Sequence, residues 1–61
     1  MAKTVAFLPA SSGRRCVQIV RHDTNPRDMR FEVIYQTSRS DVSWQFAATR
    51  KQADAIASEV R

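Results

Sequence analysis

A chain of 61 residues makes one domain, 1–61, and a domain of this size buries only about 60% of the surface its unfolded form exposes. Seventeen large apolar residues, eight Ala and one Cys make it 43% hydrophobic, too much for a disordered chain, and that single cysteine, Cys16, rules out an internal disulfide. Ten Lys and Arg against six Asp and Glu leave a net charge of +4, which suits an acidic partner and equally serves solubility.

Lys3 to Leu8 is expected to form a short first strand that stops at Pro9. Ala10 to Arg14 carries turn chemistry, with Gly13 free to take a positive φ. Cys16 to Arg21 alternates as a strand, with Val17 and Ile19 on one face and Gln18 and Val20 on the other. Asp23 to Asp28 breaks the chain, because Pro26 drives Asn25 out of the helical region. Arg30 to Thr37 is β-branched and aromatic, the strongest strand signal, with Phe31, Val33 and Tyr35 opposite Glu32, Ile34 and Gln36.

After a short polar loop, Ser38 to Asp41, comes a last strand in which Val42, Trp44 and Phe46 share a face. It runs into a helix through Thr49-Arg-Lys-Gln52, a capping box. There the Thr49 hydroxyl accepts from the N–H of Gln52, and the Gln52 side chain reaches back to the N–H of Thr49. Ala53, Ile56, Ala57 and Val60 recur at helical spacing, with Asp54, Ser58 and Glu59 turned away. The apolar faces of this strand and helix are expected to cover each other.

These elements predict an α+β fold, an antiparallel meander of three or four strands with one C-terminal helix packed on one face. The opposite face is then open and would show Gln18, Val20, Glu32, Ile34, Gln36, Ser43 and Gln45. That pattern reads as a solvated sheet face or as a recognition surface centred on Val20 and Ile34. Loops of a meander alternate between its two ends. Arg14, Arg15 and Arg39 fall at one end with Asp41. Arg21, Arg27, Arg30, Arg50 and Lys51 fall at the other, diluted by Asp23 and Asp28 but beside the helix N-terminus, where free N–H groups favour anions. Eight of the ten cations are Arg, which suits bidentate contact with phosphate or carboxylate, or simply reflects a genome rich in G and C.

No catalytic constellation stands out, so an enzyme is not expected. His22 is the only histidine, and Cys16, His22 and Asp23 fall short of a closed zinc site. One glycine cannot build a phosphate loop. No cofactor or metal is expected. No apolar run approaches the roughly 20 residues of a membrane span, and the patch after Lys3 is shorter than a signal-peptide core. A cytoplasmic protein without a membrane partner is the expectation, with a dimer mate or bound partner as support for so thin a core.

The run Phe46-Ala-Ala-Thr49-Arg-Lys-Gln-Ala53 resembles the strand-to-helix junction of the arm-site DNA-binding domains of phage-type tyrosine integrases. It differs by one extra residue between Phe46 and Thr49. The resemblance implies a three-stranded sheet laid in the major groove, with Gln18, Glu32, Gln36 and Gln45 reading bases and Arg21, Arg30 and Arg39 on phosphates. In size and composition the chain is also similar to small phage-encoded inhibitors, anti-CRISPR proteins among them. The expected function is a stand-alone, non-catalytic protein that occupies a partner surface, first on a protein or nucleoprotein complex that handles nucleic acid and second on duplex DNA. Its expected contacts are Gln18, Val20, Arg21, Arg27, Arg30, Glu32, Ile34, Gln36, Gln45, Arg50 and Lys51.

Overall fold

The computed structural model describes residues 2–61. Four strands, β1 (Ala2–Leu8), β2 (Val17–His22), β3 (Phe31–Gln36) and β4 (Val42–Ala47), form one antiparallel sheet in the order β1-β2-β3-β4. The helix α1 (Arg50–Val60) follows and packs against β2, β3 and β4. This is the expected meander with a C-terminal helix, and the strand at the N-terminus is present.

Each connection has a local cause. Ser11 and Arg14 exchange backbone hydrogen bonds of 3.2 and 2.9 Å around Ser12-Gly13. Gly13 takes φ +74°, a conformation that costs an L side chain about 1–2 kcal/mol. Between β2 and β3, Pro26 leads into a 3-10 turn at Arg27–Met29, and the Asn25 amide donates to the Met29 carbonyl at 2.9 Å. Between β3 and β4 the N–H groups of Thr37 and Ser38 both donate to the Asp41 carbonyl, at 3.0 and 3.3 Å.

Thr49 caps α1 in extended conformation, its hydroxyl accepting from the Gln52 N–H at 3.2 Å. The return bond differs from the expected box: Gln52 Oε1 accepts from the N–H of Ala48, at 3.1 Å, rather than from that of Thr49. Ala48 has just left the sheet after Ala47, so its N–H is available to the amide. At the far end of α1, Arg61 donates through Nη2 to the Pro9 carbonyl at 3.0 Å, tying the helix to the end of β1.

The core lies between the sheet and α1. Val17, Ile19 and Val33 are fully buried there with Ala47, Ala53 and Ala57, and Leu8, Phe31, Tyr35, Ile56 and Val60 pack around them. Burying each of the three large aliphatics contributes about 1.5–3 kcal/mol relative to leaving it in water.

One expectation about this core is overturned. Glu32 pairs with Phe46, Ile34 with Trp44 and Gln36 with Val42, and paired residues share a face. Val42, Trp44 and Phe46 therefore lie on the open face, and Ser43 and Gln45 lie on the helix side with Ala47. A slip of one residue in this register would exchange the two sets. The five-residue connection 37–41, closed on the Asp41 carbonyl, holds it in place. The helix side suits the small residues, since α1 presents Ala53 and Ala57 to the sheet and meets Ala47 there.

Candidate binding face

The open face is built in cross-strand rows. One row runs Phe7, Gln18, Ile34, Trp44, and the next runs Thr4, Val20, Glu32, Phe46. Gln36 and Val42 form a third, nearer the loop 37–41. Phe7, Val42 and Trp44 keep 58%, 60% and 56% of their surface exposed, and they are the only large hydrophobics so exposed among the described residues. All three stand on this one face.

Polar groups between them are engaged. Gln18 donates to the Thr4 hydroxyl at 2.7 Å. Glu32 Oε1 and His22 Nε2 meet at 2.8 Å, both half-buried, and the His22 ring lies tilted against Phe46 with centroids 6.5 Å apart. His22 is thus a bonded part of the face rather than a loose strand end. Val20 is only 8% exposed, so the aliphatic centre expected there is covered. Ile34 is half-buried. The face is aromatic and aliphatic, where an amide-rich one was expected.

Of the expected contacts, Gln18, Val20, Glu32, Ile34 and Gln36 do share this face. Gln45 does not. It sits on the helix side, where its Nε2 donates to the Tyr35 hydroxyl at 3.3 Å. That bond, with one from Ser43 and the nearby Arg15 charge, holds the Tyr35 phenol below its ordinary range against a smaller opposing effect of burial. Arg21 also belongs to the helix side, paired across strands with Phe31.

Arg21, Arg30 and Phe31 line a small hollow at one end of the sheet with Asp23 and Ala48. Arg27 lies in the 3-10 turn, and Arg50 and Lys51 open α1. This basic end is partly neutralised. Arg21 Nε contacts Asp23 at 2.9 Å, and Arg50 Nε contacts Asp54, one helical turn on, at 2.9 Å. The Arg21 hydrogen bond and charge, with Arg30 behind them, hold the Asp23 carboxyl below its ordinary value of 3.8.

The other end is different. Arg14, Arg15 and Arg39 line one hollow with Gln36 and Ser38, and no carboxylate is in its wall. None of the three arginines has a carboxylate within 4.0 Å among the described residues. Asp41, the acid of this end, accepts from the Ser38 hydroxyl at 3.0 Å. Gln36 is also in the wall of a second, apolar depression with Cys16, Gln18, Ile34, Tyr35 and Val42, so the cationic hollow meets the open face at Gln36, while Arg14 also lines a hollow on the helix side with Leu8, Asp54 and Arg61.

Phe7, Val42 and Trp44 escape a sequence reading because alternation says which residues share a face but not which face they share. The parity of the 37–41 connection carries that information, and only once both strand ends are known. Cys16 directly precedes β2 and His22 ends it, about 20 Å apart at 3.3 Å per residue, so they cannot share a metal. Among the described residues no group of three or more His, Cys, Asp and Glu converges, and no helix is long and apolar enough to cross a membrane.

Comparison of the chain with family models, with curated proteins and with solved structures gives no match.

Proposed function

We propose that this chain is a non-catalytic binding protein that works by occupying a partner surface, in the manner of a phage or mobile-element inhibitor of a host nucleic-acid-handling complex. The observation that carries the reading is the placement of Phe7, Val42 and Trp44, each more than half exposed, on the one sheet face that α1 leaves open. Side chains of this size stay in water at a cost of about 25 cal/mol per Å², and an apolar patch with a polar rim is the usual form of a contact surface. Trp and Arg are the residue types that most often anchor such contacts, and here Arg14, Arg15 and Arg39 line a hollow that meets this face at Gln36.

Direct binding of duplex DNA by the same face is the second reading. It is supported by Arg14, Arg15 and Arg39 at its end, which form no ion pair among the described residues.

Affinity capture with the tagged protein tests the first reading. A discrete complex is expected with the wild type and with Glu59→Ala, a change on the exposed side of α1. It is expected to be lost with Phe7→Ala/Trp44→Ala. Retention of the same partner by the double variant would refute the open face as the working surface.

A further inference from the structure

We infer that the open face takes single-stranded nucleic acid, with bases stacked on Trp44 and Phe7 and phosphates seated in the hollow of Arg14, Arg15 and Arg39. The inference rests on the open face being the working surface, and it names what that surface holds.

Three observations favour this occupant. First, the cationic hollow meets, at Gln36, an apolar depression that includes Gln18 and Ile34 of the Phe7–Trp44 row. Gln36, in the wall of that hollow, is two residues along β3 from Ile34 of the row, about 6.6 Å. Second, the face itself carries little negative charge. The only carboxylate on the face, Glu32, is held by His22, and the three arginines at its end have no acidic partner among the described residues. A protein partner would need its own acidic patch at this spot, whereas every nucleotide brings a phosphate beside a π-face.

Third, the face suits bases and not base edges. Duplex readout needs free donors and acceptors reaching into a groove. Here Gln45 is on the opposite side, Glu32 is bonded to His22 and Gln18 to Thr4. What projects instead is Phe7 and Trp44, at the two outer strands of one row, about 14 Å apart across three strand spacings. Two platforms so separated engage separate bases of an unpaired strand, and a stacked duplex offers neither.

The test is titration of the full chain with a labelled oligo-dT of about 20 nucleotides and with a duplex of the same length, at about 50 and 200 mM salt. The single strand is expected to bind more tightly than the duplex. Three neutralised phosphates would weaken it about twentyfold across that salt step, from a slope of roughly −0.7 per phosphate. Trp44, the one tryptophan, is expected to lose fluorescence as a base stacks on it. Trp44→Ala should cost roughly tenfold in affinity while Trp44→Phe retains most of it. Arg14→Ala/Arg39→Ala should flatten the salt slope to that of about one phosphate.

Equal or tighter binding of the duplex would overturn the inference, as would saturation without a change in Trp44 emission or no binding at the lower salt. If the oligonucleotide is ignored but Phe7→Ala/Trp44→Ala still loses a captured protein, the inference falls and the open face stands as a protein-binding surface. If that double variant keeps the captured partner, the working-surface reading itself falls.

Discussion

Trp44 stands directly across from Ile34, with its indole on the side of the sheet away from α1 and more than half of its surface in water. Gln18 and Phe7 continue the same row to the other edge, so the sheet is apolar on both sides while only one side is covered. The inner side holds the fold together. The outer side keeps Phe7, Val42 and Trp44 more than half in water.

Removing the outer side chains should therefore leave the fold intact. Trp44→Ala and Phe7→Ala are each expected to cost no more than about 1–2 kcal/mol, since more than half of each ring is already in water. Urea unfolding followed by helix circular dichroism measures this, and a loss above about 3 kcal/mol would place either ring in a core.

The contact between α1 and the sheet depends on small side chains. Ala53 is fully buried against the core, so Ala53→Leu is expected to destabilise by about 1–3 kcal/mol through overpacking. Ala55→Leu, on the exposed side of the same helix, should stay within about 0.5 kcal/mol. The comparison reads as a lower urea midpoint at unchanged slope for the first variant alone.

The cap is the second local device. Thr49→Ala removes the acceptor for the Gln52 N–H and should cost about 1 kcal/mol. For a domain of this size that lowers the melting temperature by about 4–8 °C. Thr49→Ser keeps the acceptor and should lose less than half of that shift.

Acid should act on the Arg21–Asp23 pair. The Asp23 carboxyl sits below 3.8 in the folded protein, so the pair's contribution is complete above that value and fades as pH falls through the lower folded midpoint. Both side chains are exposed, so salt should weaken the effect. A carboxyl titration by NMR is expected to give a midpoint below 3.8 that returns toward 3.8 in Arg21→Ala. Identical midpoints in the two proteins would show that Arg21 does not hold the carboxylate.

Much of this architecture is legible in the residues themselves. The alternation of Val17 and Ile19, the β-branched run Phe31 to Gln36, the turn at Gly13 and the cap at Thr49 each act locally, and each appears where local physics puts it. The orientation of β4 is not local. Val42, Trp44 and Phe46 are the apolar set of their strand, and burial alone assigns them to the core. Yet the 37–41 connection pairs them with Gln36, Ile34 and Glu32, and the helix side is filled by Ala47, Ala53 and Ala57 without them. The candidate site inherits that reversal. Gln45 leaves the face, Trp44 joins it, and at the basic end expected as the stronger site Asp23 and Asp54 occupy Arg21 and Arg50, while Arg14, Arg15 and Arg39 at the other end form no ion pair among the described residues.

Acrylamide quenching of Trp44 tests the face assignment most directly, since no other tryptophan contributes to the signal. The structure predicts that the native protein is quenched nearly as strongly as the urea-unfolded chain, with emission already close to that of an indole in water. A native Trp44 shielded from acrylamide, with blue-shifted emission that moves only on unfolding, would put the indole under α1 and contradict both the register of β4 and the binding face built on it.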